Sequence, residues 1–412
     1  EWKQHLLPAV NWTTNSSPRM TLSLMIVLFW LSVIGIVHTY LVFPLLIRLI
    51  AASGRSVVPA ERMNEEEYAP AITVVISAYN EEKNIRERIE DLARCEYPAG
   101  KMSVVVGSDG STDATNTILE ELSLRYDWLT VFPFATNRGK TPVLNRLFAS
   151  ITTPLTVLTD ADTVFSPNAL SSIVRPFRDE RVGCVAGVRR VRDTAVTTVT
   201  SLQESSYLDL DNGIRVAEGR LGCVIGAHGS LYALRTELVG TIPEDKPFTD
   251  DFYLSMIPLE RGFRVVQADT AISYAETAAS TLSDFRRKVR YSSTAFATCF
   301  RFLPLLWGPR PIVAYCFFSH RVSRWFLPVF LVIALVSNVV LRDHGPVYAI
   351  ALIVQSLFYL TALVGILVPS TVSISRLFSL SAYFVYSNAA LLVGLVRWAA
   401  GGASHRWEPS RS

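Results

Sequence analysis

Four apolar stretches, Leu22–Ile47, Trp325–Leu341, Val347–Val368 and Leu377–Val396, bracket one long polar-rich segment. Few folds satisfy that arrangement. Crossing a hydrocarbon core of about 30 Å takes about 20 helical residues, so the pattern predicts one membrane span before a globular part and three after it. The first run ends in Pro44-Leu-Leu-Ile-Arg48 with Arg55 beyond, a cytosolic boundary, and it has no small-residue cleavage site. We read it as a retained anchor, with Glu1–Arg19 either native or lying upstream of a start at Met20. Half of the 412 residues are hydrophobic and 18% are charged, which is low for a soluble protein. A net charge of +3 argues against a nucleic-acid partner. Five scattered cysteines without a CxxC pair, and six histidines without HExxH, argue against a disulfide framework or a zinc site and fit a reduced cytosolic setting.

An acidic linker, Ala51–Ala69, precedes the globular segment, which runs from Pro70 to about Ala279. Its apolar runs Ile72–Ala78, Met102–Gly107, Thr130–Phe134 and Leu155–Thr159 read as strands. Helical patterns alternate with them at Asn84–Arg94 and Thr112–Leu124, and helix starts are expected at Thr141-Pro142 and Ser166-Pro167. Such alternation predicts an α/β domain with a mostly parallel, Rossmann-like sheet covered on both faces. The expected division is residues 1–52 for the N-terminal segment and first span, 53–280 for the α/β domain, 281–322 for interfacial helices, and 323–412 for three spans and a tail.

Three acidic motifs follow in order: Asp109-Gly110-Ser111, Asp160-Ala161-Asp162 and Thr249-Asp250-Asp251. The first two end strand-like runs, and the carboxyl ends of parallel strands are where open α/β sheets bind ligands. Alternate residues on a strand end point the same way, so Asp160 and Asp162 can face one site and offer a hard cation its preferred carboxylate oxygens. Helix capping is the plainer explanation for Ser111, Thr112 and Asp250. Gly139-Lys140-Thr141 is no P-loop, because that motif needs glycine where Phe134 stands. Gly222–Ser230 is rich in glycine, which permits close backbone approach. Leu282, Phe285, Val289, Phe296, Phe300 and Leu303 form one helical stripe opposite Arg287, Arg290, Tyr291 and Thr294, with Arg286 and Lys288 at its borders. That pattern predicts an amphipathic helix lying in the membrane interface, its border cations reaching lipid headgroups.

With Asn137-Arg138-Gly139-Lys140 between the first two motifs, the constellation resembles the catalytic core of family-2 glycosyltransferases, which include cellulose, chitin and hyaluronan synthases. The resemblance covers Ile72 to about Tyr291 and implies a GT-A fold, a UDP-sugar donor and Mg²⁺ or Mn²⁺. It implies Asp162 as principal metal ligand, with Asp160 shared between metal and nucleotide sugar. Asp109 would touch the uracil or ribose beside Tyr79-Asn80-Glu81, where Tyr79 would stack on the base and Glu81 accept from ribose hydroxyls. Lys140 would stand near the nucleotide, and Arg287 and Arg290 would meet the diphosphate. Asp251 is the implied general base, with Asp250 beside it, and Gly226, His228 and Tyr291 would meet the acceptor. Polymerising members carry Gln-x-x-Arg-Trp where this chain has Arg287-Lys-Val-Arg290-Tyr291, a departure that weighs against processive synthesis. The one-plus-three spans also resemble those of chitin-oligosaccharide synthases.

The expectation is thus an inverting, metal-dependent transferase of a bacterial plasma membrane, moving sugar from a UDP-sugar to a lipid-linked or polysaccharide acceptor. Its catalytic domain would be cytosolic, where nucleotide sugars are, with Arg397, Arg406 and Arg411 beyond the membrane against the positive-inside tendency. A processive synthase with coupled translocation and a catalytically silent nucleotide-binding scaffold are the alternatives. Self-association is left open.

Overall fold

The computed structural model describes residues 18–53, 68–192, 199–275, 281–367 and 376–403. The expectations for Glu1–Ser17, for most of the acidic linker and for Arg406 and Arg411 lie outside these residues. Eight strands build one sheet: β1 (Ile72–Ala78), β2 (Met102–Asp109), β3 (Leu129–Phe134), β4 (Leu155–Asp160), β5 (Thr163–Phe165), β6 (Val182–Val191), β7 (Tyr232–Arg235) and β8 (Arg264–Ala275). Their spatial order is β3-β2-β1-β4-β7-β6-β8-β5. β1 pairs in parallel with β2 and β4, β2 with β3, and β6 with β8, whereas β7 runs antiparallel to β4 and β6 and β5 antiparallel to β8. All seven residues of β1 are buried, as a strand covered on both faces requires. The expected strands are present, with β2 and β4 each reaching their terminal aspartate.

Thirteen α-helices are described: α1 (Pro18–Val37), α2 (Phe43–Ala52), α3 (Ile85–Arg94), α4 (Thr115–Arg125), α5 (Lys140–Phe148), α6 (Ala169–Val174), α7 (Val199–Arg220), α8 (Asp250–Glu260), α9 (Thr281–Phe302), α10 (Pro311–Phe317), α11 (Leu327–Leu341), α12 (Pro346–Leu367) and α13 (Arg376–Ala399). Two starts differ from expectation. Asp113 accepts from the Thr115 N–H at 3.0 Å, so Ser111–Asp113 form a turn before α4. α6 begins at Ala169, and Ser166-Pro167 precede it in a turn.

Alternation along β1 feeds two cores. Ile72, Val74 and Ile76 pack with Ile85, Ile89, Leu92 and Leu119 from α3 and α4. Val75 packs on the other face with Val143 and Leu147 of α5, and that core continues through Phe252 of α8 to Phe296 and Phe302 of α9, Phe317 of α10 and Phe43 and Ile47 of α2. The sheet and the apolar helices therefore share one hydrophobic interior.

Among the described residues three helical stretches are long and apolar enough to cross a membrane: Met20–Ala52, which passes through a π-helical turn at His38–Val42, Pro346–Leu367 and Leu377–Ala399. The expected span Trp325–Leu341 is different. α11 has 15 residues, short of a crossing, and it joins Pro311–Ser323 at a bend of 61°. The pair makes one broken span or a re-entrant segment.

α9 runs alongside α13, which covers part of its stripe: Phe296 and Val289 are buried, whereas Leu282 stays exposed. Tyr386 Oη donates to Asp284 at 2.6 Å, Ser292 Oγ reaches the Ala390 carbonyl at 3.3 Å, and the Phe300 and Trp398 rings stack at 4.4 Å. These contacts advance in the same direction along both helices. Lys288, expected at headgroups, instead pairs with Asp284 and lies 3.0 Å from Tyr386 Oη. Gly394 makes the approach possible, since a Cβ there would stand 1.8 Å from Ser292 Oγ and 3.1 Å from the Ser293 nitrogen. Overpacking of that kind typically costs about 1–3 kcal/mol. Gly394→Ala is therefore expected to lower the melting temperature of the protein in detergent, read by tryptophan fluorescence, whereas Gly240→Ala, with nothing within 4 Å, changes it less.

Candidate active site

Register places the acidic motifs on one edge of the sheet. Ala78 pairs with Ser108, Ser77 with Asp160, and Asp109 with Phe134, so β1, β2 and β4 end together. The turn after β1 carries Asn80 at φ 53°, the only non-glycine residue described with positive φ. Asparagine tolerates that conformation because its side chain bonds locally. Here Asn80 Oδ1 accepts from the Thr112 N–H at 2.8 Å, and its own N–H donates to Ser111 Oγ at 3.1 Å, locking the first turn to the second. Glu81 is held alongside, its Oε2 accepting from Asn84 Nδ2 at 2.7 Å.

Asp109 is fully buried, and its two oxygens accept from the Arg138 and Gly139 N–H groups, each at 2.8 Å. Its carboxylate thereby shapes the Asn137–Lys140 loop from beneath. Gly110, at φ 66°, must be glycine, because a Cβ would lie 2.4 Å from the Asn137 nitrogen. Gly139, at φ 93°, precedes α5 and aims Lys140 along the sheet edge.

Lys140 Nζ lies 2.9 Å from Asp160 Oδ1 and 3.0 Å from Asp250 Oδ2. Burial alone would depress its ammonium, but these two carboxylates hold its pKa above the ordinary lysine value. Asp250 and Asp251 form the first turn of α8 behind Thr249. α9 fixes that start: Thr298 Oγ1 accepts from the Thr249 N–H at 2.9 Å, and Thr294 Oγ1 lies 2.8 Å from Thr249 Oγ1. Asp251 Oδ1 accepts from the Phe252 N–H at 2.6 Å. Burial, with Asp250 and Asp160 nearby, pushes the Asp251 carboxyl up to about 7 against the opposing pull of Lys140. Gly229 stands between the motifs, since a Cβ there would lie 3.0 Å from Asp160 Oδ2 and 3.3 Å from Asp251 Oδ2. Asp160 and Asp251 thus meet at one glycine, Lys140 joins Asp160 to Asp250, and half-buried Asp162 lies in the turn after β4.

The remaining expected site residues have the following surroundings. Arg287 pairs with Asp284 at 2.7 Å and Glu204 at 3.5 Å. His228 Nε2 lies 3.5 Å from Asp211 Oδ2, and burial, together with Arg215, pushes its pKa down to about 3, so the ring is neutral. Arg290 is half-buried on α9, and the Tyr291 phenol is raised by burial and then by Asp251. Gly226 adopts φ 76°, and a Cβ would meet the Phe252 ring at 2.5 Å. Tyr79, Asn80 and Glu81 line the far end of the same edge.

Beneath the Gly226–Gly229 loop lies a buried polar group that the motifs did not announce. Asp211 accepts from Arg215 Nε at 2.6 Å and Arg324 Nη1 at 2.9 Å, and His320 lies 2.8 Å from Glu218 and 3.1 Å from Asp211. Burial would raise the Asp211 carboxyl, but Arg215 and the two histidines hold it well below the usual range. Only the i, i+4 spacing of Asp211 and Arg215 was readable; the partners from residue 320 onward are over 100 positions away.

A half-parallel α/β sheet with carboxylates at its strand ends and one lysine among them defines a nucleotide-sugar-transferase class of site. A family model described as "Glycosyltransferase like family 2" matches residues 70–294, and the chain belongs to that family. An N-acetylglucosaminyltransferase of Rhizobium meliloti (strain 1021) is 24% identical over 297 residues, 69% of each chain. The probable glycosyltransferase YdaM of Bacillus subtilis (strain 168) is 25% identical over 244 residues, and this chain covers only 57% of its length. A beta-monoglucosyldiacylglycerol synthase of Nostoc is 27% identical over 190 residues, 45% of this chain and 40% of that protein. Among solved structures, a mannosyltransferase from Pyrobaculum calidifontis in complex with GDP-Man and Mn²⁺ superposes with a TM-score of 0.70 at 21% identity, covering 90% of this chain and 99% of that one. That likeness establishes the GT-A fold.

The displaced Asp251 carboxyl carries a stability consequence. Its folded pKa of about 7 exceeds the ordinary 3.8, so the folded state pays for ionisation progressively as pH rises from about 4 through 7. Asp251→Asn should therefore melt higher than the unaltered protein at pH 8 and nearly level with it at pH 4, measured by differential scanning fluorimetry.

Proposed function

We propose that the chain is an inverting, membrane-bound transferase that moves a sugar from a UDP-sugar to a lipid-linked or glycan acceptor, with Asp251 as general base. The observation that carries this reading is the convergence of Asp160 Oδ2 and Asp251 Oδ2 on Gly229, 3.0 and 3.3 Å from where its Cβ would stand, with Lys140 beside Asp160 and burial and Asp250 raising the half-buried Asp251 carboxyl to about 7. A base works best when its pKa lies near the working pH. In one displacement the acceptor hydroxyl gives its proton to an Asp251 oxygen as its own oxygen bonds to the anomeric carbon. The bond from that carbon to the diphosphate breaks, and the nucleotide diphosphate leaves with the electron pair. Attack from the opposite face inverts the anomeric centre and gives a β-linked product from an α-linked donor.

Lys140 balances charge at the donor end, exchanging part of its pairing with Asp160 and Asp250 for phosphate oxygens. Tyr79 and Glu81 are assigned to the nucleoside, and Asp109 acts on it through the loop it shapes. Tyr291 and the Gly226–His228 loop face the acceptor, and Arg290 supports the diphosphate.

A hard cation fits this edge. Among the described residues no cluster of three or more potential metal ligands occurs, so the protein would supply carboxylates and the diphosphate the remaining oxygens. Asp160 Oδ2 faces space that a side chain at position 229 would fill. Asp160 and Asp162 would hold Mg²⁺ or Mn²⁺, which when bound supplies positive charge to the leaving diphosphate.

The relatives that transfer N-acetylglucosamine or glucose motivate UDP-N-acetylglucosamine and UDP-glucose as first donors. The altered Arg287 and Tyr291 positions favour one or a few transfers over processive synthesis. The apolar helices favour a membrane setting with the sheet on the cytosolic side.

Nucleotide release by the protein in nanodiscs, measured with Mn²⁺ on UDP-N-acetylglucosamine, UDP-glucose and GDP-mannose, tests the reading, with product sizing alongside. Release from one donor with short products is expected, long ladders would make the enzyme a polymerase, and silence on all three would remove the assignment. Asp251→Asn should lower kcat by about 10²–10⁴-fold. Because the ionised carboxylate is the active form, kcat should rise with pH through about 7 and fall about tenfold per unit below 6. A flat profile from pH 5 to 8 would count against Asp251 as the base.

A further inference from the structure

The broken span delivers a charged residue to the underside of the candidate active site. Phe318–Ser323 is a π-helical segment between α10 and α11, and its Arg321 is 8% exposed. π-bulges re-aim side chains that a regular helix would leave on another face. Both Arg321 Nε and Nη2 donate to the Ile225 carbonyl, at 3.1 and 2.9 Å. The guanidinium also lies 5.4 Å from the centre of the Phe252 ring and 5.7 Å from that of Trp325, within cation–π range. Phe252 is the residue whose N–H donates to Asp251. One side chain therefore braces both walls of the site: the loop that presents Gly229 and the helix start that presents Asp251.

The neighbouring bonds show how tightly that loop is set. The Ile225 N–H donates to Glu218 at 3.3 Å, the Gly226 carbonyl accepts from Arg215, and the Ala227 N–H donates to Ser255 Oγ at 2.8 Å. Ser255 Oγ in turn donates to the Asp251 carbonyl at 2.6 Å. Arg321 cannot drift from this frame, since His320 beside it is pinned to Glu218 and Asp211, and Arg324 to Asp211. Gly226 Cα is close enough that a Cβ would stand 3.1 Å from Arg321 Nη2, so loop and guanidinium are in direct contact.

We propose that Arg321 is a positioning residue for transfer, holding the Ile225–Gly226 backbone and the Phe252 ring in register so that the acceptor side of the site meets Asp251. The inference rests on the proposed role of Asp251. Arg321 touches neither donor nor acceptor; it acts through the loop and through Phe252. Its origin in the broken span means that the membrane-embedded half of the chain supplies part of the transfer geometry.

The test uses the full chain in nanodiscs, with Arg321→Lys and Arg321→Met alongside Asp251→Asn. The donor is whichever of UDP-N-acetylglucosamine, UDP-glucose and GDP-mannose the unaltered protein turns over, and the corresponding nucleoside diphosphate probes binding by calorimetry. A misplacement of about 1 Å can cost about 10²-fold in rate, so both Arg321 variants should lose about that much in kcat. Their nucleotide affinity and donor KM should stay within about threefold of the unaltered values, a split that general unfolding would not produce. Partial restoration of Arg321→Met by added guanidinium ion at millimolar concentration would further support the assignment. Unchanged kcat in both variants, while Asp251→Asn is inactive, overturns the Arg321 proposal and leaves the proposed function standing. Loss of nucleotide binding in step with kcat in both variants overturns it too, making Arg321 a structural residue only. Full activity of Asp251→Asn, or silence of the unaltered protein on all three donors, removes the underlying reading instead.

Discussion

The Lys140 ammonium lies between the carboxylates of Asp160 and Asp250 and ties the end of β4 to the start of α8. Asp251, next in the chain, is raised first by burial and then by the like charge of Asp250, with Lys140 pulling the other way. The lysine in turn depends on Asp109, whose buried carboxylate gathers the Arg138 and Gly139 amides and so sets where α5 begins. A chain of charge compensation thus runs from the end of β2, through α5, to the ends of β4 and α8.

The second dependence is mechanical. α8 does not stand on the sheet alone, because Thr249 is clamped by Thr294 and Thr298 of α9, and α9 lies along α13 over most of its length. Phe252 packs against Phe302 at 6.4 Å and Trp325 at 5.3 Å between ring centres. The position of the proposed base is therefore set jointly by the α/β domain and by helices that belong to the membrane half.

Much of this was legible in the chain. Continuous apolar runs marked β1, β2 and β4 because strands buried on both faces need no polar alternation, and the acidic triplets marked where those runs stop. What the motifs could not disclose is what each carboxylate touches. Asp109 and Asp251 sit in similar short triplets, yet one is saturated by backbone amides and the other is left to titrate. The α9 stripe had a readable period but no readable partner, since an apolar face suits lipid and a neighbouring helix equally. The Asp211, His320 and Arg324 cluster was hidden for a different reason: its members are spread over more than 100 residues, and only the folded chain gathers them.

The shared interior between sheet and apolar helices bears on how this chain can be divided. A fragment ending at residue 275 would leave Phe252, Tyr253 and Ile257 without the rings and aliphatic groups that cover them from α9 and α10. Such a piece would carry every acidic motif and still expose a greasy wall where its base is anchored. The sheet and the apolar helices share one packed interior, and a chain cut free of those helices forfeits the surface against which the candidate site is built.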